Sequence, residues 1–373
     1  MKVFLHIGPP KTGTTSIQKS LNNFQDKKNI YADFDPLSQM FGSHVGNHSK
    51  PLRYIFDDTF FNNFHKNNLG IDNISAKDLQ INLKNVLKEF LIKNNNKNII
   101  FSAEGLALID EETLKKIINF FKDLNFEPNL IFYYRDPIKR VKSVLQQEIK
   151  NTYFHPYDHF WTFKQKKVSE TLSIFIKYFS KDQIIVRSFE KEDLKNGCVV
   201  EDICSLMNIN LKEKNIARNV NKSMSEDAFK VLYVRMKEHL KNGYKPGRIF
   251  NRDKIHRNIM RIFDESPKLS PLSFKIFSDA NKNEEINFLS EKTNFQTPAS
   301  FNKDGNYVGS GKDRKYRKSR KDFEDFDNYF SDLSTLNYLP LENFLIENGV
   351  SKGDLNNKDL KEKILLIDSV IYN

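Results

Sequence analysis

The sequence predicts an α/β fold with a mainly parallel central sheet flanked by helices, followed by a loop-rich and helical C-terminal elaboration. Up to about residue 235, short apolar runs recur, and each precedes a segment whose apolar residues have helical spacing. Strands that alternate with helices in this way form parallel sheets that are covered on both faces. Further along, prolines interrupt the pattern, and short helical patterns return only from Phe323.

The first strand is predicted over residues 3–7, followed by a loop with the sequence GPPKTG at residues 8–13 and then a helix. Ile17, Leu21 and Phe24 recur at helical spacing and give this helix one apolar face. The loop N–H groups and the positive end of the helix favour an anion at the end of the strand, most naturally a phosphate.

The lysine of this loop does not stand where a nucleotide-hydrolysing P-loop has it. In that motif, G-x-x-x-x-G-K-[ST], the lysine directly follows the second glycine. Gly8 and Gly13 have the required separation, but Thr14 occupies the lysine position and the lysine is Lys11. The spacing therefore argues against a P-loop kinase.

A second motif follows a strand predicted over residues 129–134. Asp136 is a good N-cap and Pro137 suits the first helical position, so a helix is predicted to start there. Arg135 then stands at the carboxyl end of the strand, and Ser143 lies about two helical turns further on. A guanidinium and a hydroxyl at the ligand-binding edge of a parallel sheet suit a phosphate.

Both motifs resemble those of the PAPS-dependent sulfotransferases, which transfer a sulfuryl group from 3′-phosphoadenosine 5′-phosphosulfate (PAPS) and release PAP. Residues 10–15 match the family's 5′-phosphosulfate loop, P-K-[TS]-G-[TS]-[TS], at every position. Residues 135–143 resemble its 3′-phosphate motif, R-x-P-x-x-R-x-x-S. The resemblance covers about residues 1–235, includes a Ser-x-Glu element common in bacterial members, and implies the P-loop-like sulfotransferase fold.

The resemblance also implies which residues hold PAPS. These are Pro10, Lys11, Thr12, Gly13, Thr14 and Thr15 at the 5′ side, and Arg135, Arg140 and Ser143 at the 3′-phosphate. Lys11 is expected to meet the bridging oxygen and offset its developing charge as the bond to sulfur breaks. No acidic magnesium ligand stands out on a second strand, so the transfer is expected to need no metal.

The acceptor hydroxyl needs a general base, and Glu104 is the first candidate. It follows a strand predicted over residues 98–102, where glycosaminoglycan sulfotransferases carry a glutamate. Pairing of Glu104 with a basic residue is the alternative. His48 is the second candidate and His44 the third, because histidine's unperturbed pKa of about 6.5 suits a base.

The net charge of +11, from 59 basic and 48 acidic residues, fits an anionic cofactor and an acidic or glycan acceptor. The densest basic cluster lies at residues 312–321. It is either a solvated charged surface or a mobile loop that contacts the cofactor or acceptor. Nucleic-acid binding is not expected, because no helix-turn-helix, zinc-finger or RNP motif is present.

Three regions are predicted: a PAPS-binding core at residues 1–241, a loop-rich insertion at 242–322 and a helical segment at 323–373. A capping box is predicted from Ser223 to Glu226. No stretch reaches the about 20 apolar residues that a membrane span needs, and no signal peptide is recognised. Cys198 and Cys204 form no disulfide or metal pattern, which favours a cytoplasmic location.

The sequence thus predicts an enzyme that moves a sulfuryl group from PAPS to an acceptor hydroxyl. A carbohydrate or glycoconjugate acceptor is expected by analogy with the family. The alternatives are a P-loop-type kinase and a non-catalytic protein that binds PAP or an anionic glycan. The acceptor's identity and the oligomeric state are left open by the sequence.

Overall fold

A computed structural model of the protein describes residues 1–33, 46–64, 69, 72–151, 167–218, 223–243, 252–268, 282–296 and 327–372. The chain forms two compact units. The first unit contains Met1–Asp136, Lys166–Val220 and Ala280–Gly309; the second contains Pro137–Gln165, Asn221–Asp279 and Ser310–Asn373. The predicted boundaries at residues 241 and 322 stay predictions. His44 and the basic cluster at 312–321 lie outside the described residues.

A five-stranded parallel sheet forms the centre of the first unit. Its strands are β1 (Lys2–Ile7), β2 (Asn29–Tyr31), β3 (Asn98–Ser102), β4 (Glu127–Tyr134) and β5 (Ile184–Ser188), in the spatial order β2-β3-β1-β4-β5. Every neighbouring pair is parallel. The sheet and its flanking helices confirm the predicted fold class, and three of the five strands, β1, β3 and β4, lie where apolar runs predicted them.

The helices are α1 (Thr14–Leu21), α2 (Ser49–Phe56), α3 (Asp58–Phe64), α4 (Asn73–Lys93), α5 (Glu111–Asp123), α6 (Pro137–Asn151), α7 (Val168–Leu172), α8 (Val199–Leu206), α9 (Glu226–Lys241), α10 (Arg252–Ile262), α11 (Lys282–Lys292), α12 (Leu339–Glu347), α13 (Lys352–Asn356) and α14 (Leu360–Tyr372). Helices α6, α9, α10, α12, α13 and α14 belong to the second unit. In the described residues, no helix is both long enough and apolar enough to cross a membrane.

The strands are covered on both faces because their side chains alternate between two apolar clusters. Val3 and Leu5 of β1 pack in a cluster with residues of α4 and α5, among them Leu87 and Phe121. Phe4, between them in the sequence, packs in the other cluster with residues of α1 and α8. Burial on both faces is typical of a parallel sheet, whose strands read as continuous apolar runs.

Of two predicted helix starts, the structure confirms one and contradicts the other. Helix α6 begins at Pro137, as the Asp136-Pro137 pair predicted. The capping box from Ser223 is wrong, because Ser225 is the N-cap of α9 and accepts from the Ala228 N–H at 3.2 Å. Ser223 instead accepts a hydrogen bond from the Gln146 side chain at 3.4 Å. The segment predicted to be rich in loops contains helices α10 and α11.

An ion pair at the buried carboxylate of Asp202 joins β4, β5 and α8 in the first unit. Asp202 of α8 is 2% exposed and accepts from Arg187 Nε at 3.1 Å and from Arg187 Nη2 at 2.7 Å. The Tyr133 hydroxyl of β4 donates to the same carboxylate at 2.8 Å. Nearby Cys204 is a free thiol whose pKa is raised by burial to about 12, so its role is packing rather than chemistry.

The helices of the second unit pack around an apolar core of their own. A buried ion pair also joins two of these helices: Arg235 Nε of α9 donates to Asp368 of α14 at 2.8 Å. His239, one turn further along α9, hydrogen-bonds the other carboxylate oxygen of Asp368 at 2.6 Å. The C-terminal helix is therefore held by polar as well as apolar contacts.

Candidate active site

The ends of three neighbouring strands meet at one edge of the sheet. β1 lies between β3 and β4, with His6 opposite Ser102 of β3 and Ile7 opposite Phe132 of β4. Because all three strands are parallel, the segments that follow them leave the sheet on the same side. These segments carry Lys11, Glu104 and Arg135.

Contacts between its own residues hold the loop of residues 8–13 in its conformation. The Thr12 hydroxyl is buried and donates to the Pro9 carbonyl at 2.9 Å. Lys11 and Gly13 both have left-handed backbone conformations, with φ of 75° and 76°. A Cβ on Gly13 would lie 2.7 Å from Val199, so the close approach of α8 also requires glycine there. The Thr12 hydroxyl is thus used inside the loop.

Arg135 contacts this loop directly. Its Nη1 donates to the backbone carbonyl of Lys11 at 2.6 Å, and its guanidinium lies 5.3 Å from the ring centre of Phe189. The first contact fixes the peptide group that follows Lys11, and the second supports the guanidinium from the segment after β5. The structure thus joins Lys11 and Arg135, two residues that the sequence assigned to opposite ends of the cofactor.

Glu104 opens a 3₁₀ turn, Glu104–Leu108, directly after β3. Its Oε2 accepts a hydrogen bond from the Thr14 hydroxyl at 2.8 Å, which brings the predicted base next to the predicted phosphate loop. The Gly105 N–H donates to the Ser49 hydroxyl of α2 at 2.9 Å. A Cβ on Gly105 would lie 2.8 Å from the Ser49 Cβ, so α2 and this turn are in close contact.

Ser49 and Gly105 were not among the residues predicted for the site. Their contact fixes the backbone of the Glu104 turn from a helix that lies more than fifty residues earlier in the chain. The only local signal is the glycine directly after Glu104. A single glycine after a strand does not specify which element approaches it, so the sequence alone could not identify Ser49.

His48 is buried and 1% exposed, with both ring nitrogens hydrogen-bonded to backbone. Its Nδ1 accepts from the Ser102 N–H at 3.0 Å, so the ring proton is on Nε2, which donates to the Ala32 carbonyl at 2.9 Å. Burial lowers the pKa of His48 to about 4. The ring is therefore neutral at physiological pH, and its bonds tie together the chain segments beside β2 and β3.

A second buried histidine lies on β1 beneath the loop. His6 Nδ1 and the Ser102 hydroxyl are 2.9 Å apart, and Gln18 Nε2 of α1 donates to that hydroxyl at 3.3 Å. Burial lowers the pKa of His6 to about 3. The His6, Ser102 and Gln18 side chains thus form a neutral polar layer between the sheet and α1.

The remaining predicted residues lie as follows. Thr15 follows Thr14 in the first turn of α1 and is half-buried, whereas Pro10 in the loop is exposed. Arg140, which is buried, and Ser143, which is half-buried, lie on α6 in the second unit. Their roles at the 3′-phosphate stay predictions.

No protein-family profile matches this chain, and no curated protein matches it. Among solved structures, it is similar to the sulfotransferase domain from the curacin biosynthetic pathway, with 11% sequence identity and a TM-score of 0.33. That similarity covers 59% of this chain and 78% of the other.

The burial of His48 predicts a pH-dependent stability. Its pKa is about 4 in the folded protein and about 6.5 in the unfolded chain, so only the unfolded chain gains a proton between these values. The stabilisation is complete above pH 6.5 and is lost as the pH falls towards 4. Between pH 7.5 and 5, this residue is expected to lower the free energy of unfolding by about 2 kcal/mol.

Urea unfolding of the parent and of His48→Gln at both pH values measures this effect. Groups other than His48 titrate in both proteins, so the difference between their pH dependences isolates the histidine. The parent should lose about 2 kcal/mol more than the variant. Equal losses would show that His48 titrates normally in the folded protein.

Proposed function

We propose that this protein transfers a sulfuryl group from PAPS to an acceptor hydroxyl. The observation that carries the proposal is the contact of Arg135 with the Lys11 loop and of Thr14 with Glu104, at the ends of three adjacent parallel strands. Two cationic side chains and the N-terminus of α1 form a donor set that suits phosphate and sulfate groups. The carboxylate beside them suits a proton acceptor.

Lys11 has the central role in this proposal. PAPS supplies the sulfuryl group: the acceptor oxygen forms a bond to sulfur while the bond from sulfur to the bridging oxygen of PAP breaks. The Lys11 ammonium offsets the negative charge that develops on that leaving oxygen. The loop N–H groups and Thr15 hold the 5′-phosphate, so the protein contributes mainly positioning and charge stabilisation.

Glu104 takes the proton from the acceptor hydroxyl as its oxygen attacks sulfur. This role suits Glu104 better than His48, because both nitrogens of His48 are held by backbone groups and the ring is buried. Glu104 is half-buried and has a side-chain partner instead. We further propose a carbohydrate acceptor, for which the support is the family resemblance and the net charge of +11.

The first test is calorimetry with PAP, and separately with ATP and magnesium, each with and without EDTA. We expect PAP to bind with an affinity that EDTA does not change. Binding of ATP with magnesium in preference to PAP would replace the sulfotransferase proposal with that of a kinase. PAP binding without transfer to any acceptor in a broad glycan screen would favour a non-catalytic binding protein.

Replacing Lys11 by alanine should affect turnover far more than cofactor affinity. The ammonium is proposed to act mainly on charge that appears as the bond breaks, so a loss of about 100-fold or more in kcat is expected. PAP affinity, measured by calorimetry, should fall by a much smaller factor. Lys19→Ala, which removes an exposed lysine from the same segment, serves as the control. Equal turnover in Lys11→Ala and the parent would refute the assignment.

Replacing Glu104 by glutamine should strongly reduce transfer without weakening PAP binding. The amide oxygen still accepts the Thr14 hydrogen bond, whereas the group no longer takes a proton at neutral pH. Loss of a general base typically costs about 100-fold to 10,000-fold in rate. Glu112→Gln, at an exposed position of α5, is the matched control. Unchanged transfer by Glu104→Gln would exclude Glu104 as the base.

A further inference from the structure

We propose that Thr14 couples donor binding to the general base. Its hydroxyl donates a hydrogen bond to Glu104 in the free protein, and donates to the 5′-phosphate instead when PAPS binds. The inference rests on the proposed function and adds that PAPS binds before the general base becomes available. Thr14 acts as a positioning residue for Glu104, because it controls where that carboxylate lies without contributing to the transfer of the proton.

The location of Thr14 brings two acceptors within its reach. It is the first residue of α1, directly after the N-cap Gly13, and it is 4% exposed. Its Oγ1 lies 2.8 Å from Glu104 Oε2. An anion bound at the N-terminus of α1 contacts the groups of the first helical turn, which include the Thr14 hydroxyl.

A threonine hydroxyl has one proton and donates one hydrogen bond at a time. The carboxylate of Glu104 and an oxygen of the 5′-phosphate therefore compete for the same donor. The two acceptors are both anionic, so their repulsion at short distance also favours the departure of Glu104 once the phosphate is in place. Donor binding then leaves the carboxylate available to the acceptor hydroxyl.

The backbone around Glu104 allows this exchange without a larger movement. The Gly105 N–H is held by the Ser49 hydroxyl, and the Leu106 N–H donates to the Ala103 carbonyl at 3.0 Å. The turn stays fixed at both points while the Glu104 side chain changes rotamer. Glu104 stays hydrogen-bonded to Thr14 until PAPS binds. PAPS binding therefore precedes activation of the acceptor hydroxyl.

A double-mutant cycle on PAP affinity tests the competition. The proteins are the parent, Thr14→Val, Glu104→Ala and the double variant, with affinities from calorimetry. Glu104→Ala should strengthen PAP binding in both backgrounds, because a carboxylate near the phosphate is removed. The factor by which Glu104→Ala raises PAP affinity should be about fivefold larger with Thr14 present than with Thr14→Val, because only then does the phosphate gain a released hydrogen-bond donor.

Two matched variants separate this effect from a structural one. Thr14→Ser keeps the hydroxyl and should retain the parental factor on Glu104→Ala. Thr15→Val removes the neighbouring hydroxyl, and Glu104→Ala should strengthen PAP binding in that background as much as in the parent. Circular dichroism of each protein establishes that the variants are folded.

Equal factors in the Thr14 and Thr14→Val backgrounds would overturn the inference, since charge repulsion alone would then explain the gain. A smaller factor in the presence of Thr14 would also overturn it, because Thr14 would then bind phosphate with the help of Glu104. If the parent does not bind PAP at all, the proposed function fails and the inference fails with it. The two failures are therefore distinguishable in one set of measurements.

Discussion

The position of β1 between β3 and β4 is the constraint on which the site depends. Neighbouring strands in a sheet are about 4.8 Å apart, so segments that leave three adjacent parallel strands start within side-chain reach of one another. The direct contacts of Arg135 with the Lys11 carbonyl and of Thr14 with Glu104 follow from this arrangement. An antiparallel partner on either side of β1 would place one of these segments at the opposite edge of the sheet.

The loop after β1 is held in a conformation that its sequence does not favour. A residue with a side chain in the left-handed region is disfavoured by about 1–2 kcal/mol, and Lys11 has a φ of 75°. The Arg135 hydrogen bond to its carbonyl and the Thr12–Pro9 closure offset that cost. Such strain persists where the surroundings determine the conformation, and it fixes the backbone that carries the lysine before any ligand is present.

The sequence predicted the elements and the approximate site because those signals are local. Apolar runs predicted strands β1, β3 and β4, the Asp136-Pro137 pair predicted the start of α6, and the parallel-sheet rule predicted that Lys11 and Arg135 would lie at one edge. The surroundings of His48 are not local. Its ring bonds Ser102, fifty-four residues further along the chain, and only the pairing of distant segments shows that it is buried. Because the residues around His48 in the sequence are polar, the sequence alone predicts an exposed histidine that could act as a base.

Helix α8, which packs on the same face of the sheet as α1, also supports the loop, and this gives the ion pair between Asp202 and Arg187 a consequence for the site. Val199 and Phe189 approach Gly13 so closely that a Cβ there would lie within about 3 Å of either side chain. Val199 is on α8 with Asp202, whose carboxylate binds Arg187 of β5. Loss of Arg187 would leave the buried carboxylate of Asp202 without its cation, which is costly. The pair therefore holds α8 against the sheet, and α8 in turn limits how far the loop can move. The geometry around Lys11 therefore also depends on the contact between α8 and the sheet.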